Sequence, residues 1–249
     1  MTDTAPVTVT KTRGARRPAR SNLVDTKTVA AVDITTTNIS VCIIGADGNP
    51  AAYRFNGHRV PEHSVHTVAS SVHHIATAVR AITELVTEGG TVRPATVALV
   101  KGSWGPMSTD PSAFRRAGIW WGIAAELDRL RIPTAEVPML TAQKWAMGYS
   151  KPGKAGTDAL ADWVAATWSW LPPTYKDGFR PSTVAVAAAA AMTVGIETAV
   201  PVTQERLNLL RGYADENRTT RNNKAIQWSV KAKPAKNVAE FEMKKMVEV

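Results

Sequence analysis

Apolar and polar positions along the chain predict three strands first, and then helices separated by two further strands. The first apolar runs lie on either side of a polar turn, Asp47-Gly48-Asn49-Pro50, which is typical of an antiparallel meander. Later apolar residues recur at spacings of three and four, which indicates helices. The predicted strands cover 28–33, 39–44, 51–55, 94–101 and 134–137, and the predicted helices cover 64–88, 112–131, 141–147, 157–170, 183–199 and 204–214.

This order of elements predicts an α/β fold with a mixed five-stranded sheet and helices on both faces. The fourth strand is apolar on both sides, so we expect it near the centre of the sheet. The helix over 183–199 is alanine-rich and apolar nearly all round, which predicts that it is buried. We expect a basic disordered arm over 1–25, one domain over 26–200, and a helical then basic C-terminal extension over 201–249.

Composition excludes several classes of protein. The 249 residues include one cysteine, Cys42, so an internal disulfide framework and a zinc site built on several cysteines are excluded. The sequence has no apolar run of the roughly 18 residues that a membrane span needs, so we expect no membrane partner and a cytoplasmic protein.

The net charge of +9 is concentrated at the two ends of the chain. Residues 1–20 hold five Lys or Arg against one acid, and residues 203–249 hold ten against six. Basic arms commonly neutralise the phosphates of nucleic acids, although solvated tails that only aid solubility have the same composition. The charge therefore favours contact with nucleic acid.

Asp33 is the first candidate for chemistry. It ends a strongly apolar predicted strand and is followed by Ile34-Thr35-Thr36-Thr37-Asn38. A carboxylate in this position is suited to a hard cation such as Mg²⁺, and it is equally suited to capping a turn. The spacing alone leaves both interpretations open.

Two segments resemble the RuvC-type Holliday-junction resolvases, a family of the ribonuclease-H-like superfamily found in bacteria and in phages of actinobacteria. The segment from Val32 to Val41 is similar to the family's first motif, in which a strand ends in Asp before a Ser/Thr-rich turn. The segment from Val137 to Gly148, with Lys151, Gly153 and Lys154 after it, is similar to a second region. The resemblance implies a ribonuclease-H-like fold over about 28–199 and a phage-encoded protein, located in the host cytoplasm or in a virion.

The resemblance also implies four metal-binding carboxylates, and the sequence departs from that pattern at three of them. Asp33 matches the first, whereas Lys101, Thr183 and Val186 stand at the other expected acidic positions. Cleavage of a phosphodiester by two metal ions needs several carboxylates to hold them. A lysine within about 4 Å of Asp33 would form a salt bridge with it, and this salt bridge would take the place of the metal. We therefore expect a degenerate metal site and no cofactor, with Mg²⁺ or Mn²⁺ bound at Asp33 only if the site is active.

Cations and tryptophans supply the other candidate residues. Trp104 follows the fourth strand and is the candidate for stacking on nucleic acid. The candidates for contact with the DNA backbone are basic residues of loops, helix ends and the N-terminal arm: Lys101, Arg115, Arg116, Lys144, Lys151, Lys154, Arg13, Arg16 and Arg17. Neighbouring Trp120 and Trp121 favour a protein interface, with core packing and base stacking as alternatives. Because dimerisation through helices is usual in the resembled family, we expect a homodimer.

Three functions follow from these observations. The leading hypothesis is a DNA-binding, catalytically degenerate relative of the resolvases that recognises branched or duplex DNA. The second is an active metal-dependent junction endonuclease that uses acids outside the expected positions. The third is a structural protein, in a phage particle for example, which reuses the fold to bind a phage or host protein.

Overall fold

The strands form one mixed sheet in the computed structural model, which describes residues 23–35, 38–56, 68–102, 112–171, 179–213, 226–229 and 232–246. The strands are β1 (Val24–Ile34), β2 (Ile39–Ile44), β3 (Pro50–Phe55), β4 (Val92–Val100) and β5 (Thr134–Val137). Their order in the sheet is β3-β2-β1-β4-β5, with β1, β4 and β5 parallel and β2 antiparallel to both of its neighbours. The predicted α/β class with a mixed five-stranded sheet is therefore confirmed.

Helices cover both faces of the sheet. They are α1 (Val68–Val86), α2 (Ala113–Arg129), α3 (Met139–Met147), α4 (Gly153–Thr167), α5 (Pro181–Thr193), α6 (Gln204–Leu210) and α7 (Val238–Met246). Helices α1 and α2 pack on one face, and α3 to α7 contribute buried residues to the core on the other face. Successive residues of a strand point to opposite faces, so each central strand supplies both cores.

Helix α5 lies against the sheet, and every one of its residues is buried. Its sequence contains a run of five consecutive alanines from Ala187 to Ala191. Short side chains let a helix backbone approach a sheet closely, and an all-round apolar surface suits a helix with neighbours on every side. Helix α5 therefore fixes where its first residues stand relative to the ends of the central strands.

The C-terminal part of the chain packs into the same core as α5. Leu207 and Leu210 of α6 and Phe241 of α7 are at most 1% exposed and belong to that core. The predicted domain boundary at residue 200 therefore does not coincide with an edge of the core. Helix α7 was not predicted. Phe241 is the one buried residue of this helix, so its sequence has no periodic pattern of apolar positions.

The described helices include none that is both long enough and apolar enough to cross a membrane.

Candidate functional site

The parallel strands β1, β4 and β5 place their carboxyl ends at one edge of the sheet. Asp33 lies near the end of β1, and Lys101 directly follows β4. Within the register, Val32 pairs with Leu99, and Leu99 pairs with Glu136 of β5. Loops and helix ends converge on such an edge in open α/β sheets, so it is the natural place to look for a site.

Asp33 is buried and its carboxylate contacts the start of α5. The Ser182 hydroxyl donates a hydrogen bond to Asp33 Oδ2 at 2.5 Å. Arg180 Nε lies 3.2 Å from the same oxygen and forms an ion pair with it. The Asp33 side chain is only 10% exposed, and burial of a charge is costly unless the charge is paired and hydrogen-bonded. Arg180 and Ser182 supply that compensation.

Ser40 fixes the segment that carries these two residues. Ser40 lies directly opposite Asp33 in the β1–β2 register and is fully buried. Its hydroxyl oxygen accepts a hydrogen bond from the backbone N–H of Arg180 at 3.0 Å. Thr183 then donates to the Arg180 carbonyl at 2.7 Å, and Pro181 begins the helix. The first turn of α5 is therefore tied to the strand pair on which Asp33 stands.

Lys101 is paired with Glu136 and not with Asp33. Its Nζ lies 2.8 Å from Oε1 of Glu136. Lys101 stands two residues after Leu99, and Leu99 and Glu136 are in register, so all three point to the face that α1 and α2 cover. Asp33 points to the opposite face, towards α5. The alternation of side chains along the strands thus separates Lys101 from Asp33.

The other two expected acidic positions contribute no carboxylate. Thr183 uses its hydroxyl at the start of α5, as described above, and Val186 is fully buried in the core. Within the described ranges, no group of three or more His, Cys, Asp or Glu side chains could hold a metal ion.

The predicted DNA-contacting cations lie on several elements. Arg115 and Arg116 lie in the first turn of α2, where Arg116 Nε donates to Ser112 Oγ at 3.2 Å and burial lowers the pKa of the guanidinium. Lys144 lies in the last turn of α3, and Lys154 in the first turn of α4 pairs with Asp158 at 2.7 Å. Asp33 is instead paired with Arg180, which was not among the predicted cations.

Lys151 lies in the exposed turn between α3 and α4. Its backbone N–H donates to Gln143 Oε1 at 2.9 Å, and its Nζ lies 5.4 Å from the centre of the Tyr149 ring. Four of the predicted DNA-contacting residues lie outside the part of the chain that the structure describes. They are Trp104 and the arginines of the N-terminal arm, Arg13, Arg16 and Arg17.

The two neighbouring tryptophans of α2 differ in burial. Trp120 is 8% exposed and belongs to the core between α1, α2 and the sheet, which corresponds to the core-packing alternative. The physical reason is that its indole N–H donates to the Val100 carbonyl at 3.0 Å, which draws the ring towards the end of β4. Trp121 is 64% exposed, and its interface role stays a prediction.

Sequence reasoning missed four residues of this edge: Ser40, Glu136, Arg180 and Ser182. Arg180 and Ser182 immediately flank the proline that begins the alanine-rich helix, a position where polar residues ordinarily serve the helix end. The available signal was the resemblance itself, since it placed the start of this helix beside Asp33. The polar residues there could have been considered as partners of Asp33 in place of missing acids.

Comparison with solved structures finds proteins similar to this chain, and two of them are described below. No family model and no curated protein sequence matches it. One similar structure is that of Thermus thermophilus RuvC, with 12% identity, a TM-score of 0.47, and coverage of 65% of this chain and 91% of that chain. The other is T. thermophilus RuvC in complex with Holliday junction substrate, with 10% identity, a TM-score of 0.46, and coverage of 65% of this chain and 90% of that chain.

Proposed function

We propose that this protein binds DNA, branched or duplex, and that it is a catalytically degenerate relative of the Holliday-junction resolvases. The observation that carries the proposal is the environment of Asp33. Its carboxylate is paired with Arg180 and hydrogen-bonded to Ser182, at the edge of the sheet where a metal-dependent relative would need further acids.

The donor set around Asp33 does not fit a pair of hard cations. Mg²⁺ demands oxygen ligands in octahedral geometry, and two ions close together need several carboxylates to offset their charge. Asp33 offers one carboxylate, and one of its oxygens already accepts a hydrogen bond from Ser182 and forms an ion pair with Arg180. The guanidinium of Arg180 would also repel a cation placed there. These properties support a protein that has the fold proposed above but does not cleave DNA with metal ions.

The distribution of charge supports DNA as the ligand. The chain carries a net charge of +9, with excess positive charge on both flanks. Lys154 and Lys101 are 88% and 58% exposed along their side chains, although each has an acidic partner. Ion pairs at such exposed positions contribute about 1 kcal/mol or less, so a phosphate can compete for these cations.

A homodimer is the second part of the proposal. Phe114 and Trp121 are each 64% exposed and stand seven residues apart on α2, so they share one helix face. Val68 and Val72 of α1, the helix that packs against α2, are 82% and 60% exposed. Aromatic side chains are enriched at protein interfaces. In a symmetric dimer, this apolar face of one copy of the chain would pack against the same face of the other copy.

The proposal predicts binding of a four-way junction without cleavage. Purified protein is incubated with an end-labelled junction and a matched duplex, with Mg²⁺ or Mn²⁺, and each sample is analysed on native and denaturing gels. We expect a junction-selective shift, intact strands, and affinity that falls steeply with salt. The variant Asp33→Asn should leave the strands equally intact.

Two outcomes would contradict this proposal. Cleavage that disappears in Asp33→Asn would identify an active metal-dependent junction endonuclease. Intact DNA with no shift at low salt would exclude DNA binding and would favour the structural role.

A further inference from the structure

We infer that Arg180 binds a phosphate of the DNA backbone, with Asp33 as the residue that positions it. This inference rests on the proposed DNA-binding function and names the residue that carries it at the carboxyl edge of the sheet.

The first step is the orientation of the guanidinium. Arg180 Nε is fully buried and lies 3.2 Å from Asp33 Oδ2, in an ion pair without hydrogen-bond geometry. The Arg180 side chain as a whole is 41% exposed. Because Nε is buried, the exposed surface belongs to the remainder of the side chain, which ends in the two η nitrogens.

The second step is the unused bonding capacity of that end. A guanidinium has five N–H donors in a planar fork, and four of them are on the η nitrogens. Across the residues that the structure describes, Arg180 makes its side-chain contact through Nε alone. The η nitrogens are therefore free to bind an acceptor from solvent, and phosphate matches their fork in a bidentate arrangement.

The third step is the rigidity of the support. The backbone N–H of Arg180 is bonded to Ser40 and its carbonyl accepts from Thr183, so the main chain is held on both sides. Asp33 holds the side chain at Nε, and Ser182 holds Asp33. A cation fixed in this way loses little conformational freedom when it binds an anion, and this favours binding.

The test is the dependence of DNA affinity on salt for Arg180→Gln. Loss of one phosphate contact should weaken junction binding about tenfold and reduce the slope of log K against log salt by about 0.9. Arg180→Lys keeps the charge without the fork, so it should retain the slope and lose part of the affinity. The matched control is Arg129→Gln, which also removes an ion-paired arginine, here the partner of Glu126 at the far end of α2.

Two further variants separate binding from folding. Arg180→Gln leaves a buried carboxylate unpaired, whereas Asp33→Asn combined with Arg180→Gln removes both charges and should recover the melting temperature without recovering DNA binding. Asp33→Asn alone keeps the charge of Arg180 but releases its side chain from the ion pair, so it should retain the salt slope and weaken the affinity by less than Arg180→Gln does. If Arg180→Gln binds with the wild-type affinity and slope, this inference is overturned while DNA binding stands. If wild-type protein does not bind the junction at low salt, both are overturned.

Discussion

Trp120 and Trp121 are adjacent in α2, yet their rings lie in different environments. Trp120 packs into the core and donates to the Val100 carbonyl, whereas most of the Trp121 ring surface is exposed. The two rings meet edge to face with their centroids 4.8 Å apart, which is a favourable geometry for aromatic pairs. Trp120 therefore stabilises the fold, and Trp121 is available to the second copy of the chain in the proposed dimer.

Alanine at these two positions should separate stability from self-association. Trp120→Ala leaves a large cavity and removes the hydrogen bond to Val100, so we expect the free energy of unfolding to fall by about 3–5 kcal/mol. Trp121→Ala removes only the edge contact with Trp120 and should cost about 1 kcal/mol or less. Chemical denaturation of both variants measures the difference, at a protein concentration where wild type is monomeric.

Sedimentation at higher concentration then tests the interface. Trp121→Ala should shift the monomer–dimer equilibrium towards monomer, with Trp170→Ala, which removes an exposed tryptophan beyond the end of α4, as the control. A dimer that is equally stable in wild type and in Trp121→Ala would exclude Trp121 from the interface.

At the scale of elements, the junction of α3 and α4 depends on a close approach between them. A Cβ atom at Gly156, in the first turns of α4, would lie 1.9 Å from the Lys151 carbonyl oxygen and 2.6 Å from Gln143 Nε2. Gln143 is 2% exposed and accepts a hydrogen bond from the Lys151 backbone N–H. Only glycine leaves room for this arrangement, which holds the loop containing Lys151 against α3.

Gly156→Ala should therefore destabilise the protein even though alanine favours helices. The gain in helix propensity is about 1 kcal/mol, whereas forcing a methyl group against fixed backbone costs about 3 kcal/mol. We expect a net loss of about 2 kcal/mol in thermal or denaturant unfolding. Gly148→Ala is the control, because Gly148 has a φ of 81° but no atom within 4 Å of its added Cβ, so its cost is backbone strain of about 1 kcal/mol. A Gly156→Ala protein more stable than wild type would exclude the close approach.

The elements that the sequence predicts well are those with strong apolar patterns. Strand β5 has the predicted bounds, and α5 was predicted as a buried helix from its alanine run, although it ends at Thr193 rather than near 199. Helix α7 has one buried residue in nine, so its pattern carries no periodic signal. Its position depends on contacts with distant segments, and a sequence pattern does not contain that information.

The same limit applies to the candidate site at the scale of the whole molecule. Asp33 was predicted from the end of an apolar strand, but its hydrogen-bond donor Ser182 is 149 residues away. The resemblance put Lys101 at an expected acidic position of the metal site, and the alternation of faces along β4 puts it beside Glu136. The sequence predicted that the ends of the central strands lie close together. It could not predict which side chains pair with Asp33, because these partners depend on how α5 packs on the sheet.

The C-terminal segment joins parts of the molecule that are far apart in sequence. Gln227 pairs with Glu136 on the edge strand β5 through two backbone hydrogen bonds of 3.0 and 3.1 Å. Trp228 donates to the Leu210 carbonyl at 2.8 Å, and Lys27 at the start of β1 donates to the Lys245 carbonyl at the end of α7. The segment thus covers an edge that would otherwise expose unpaired backbone groups, and it contributes to the core.

This packing predicts that α7 is part of the folded unit and not an independent tail. Phe241 is 1% exposed in the core that contains α5, so Phe241→Ala should lower the free energy of unfolding by about 3–5 kcal/mol. Met246 is 74% exposed on the same helix, and Met246→Ala should change stability by about 0.5 kcal/mol or less. Equilibrium denaturation of the two variants measures the contrast. An unchanged midpoint for Phe241→Ala would mean that the domain ends near residue 200, and a single cooperative transition at a lower midpoint would mean that β1, α5 and α7 unfold together.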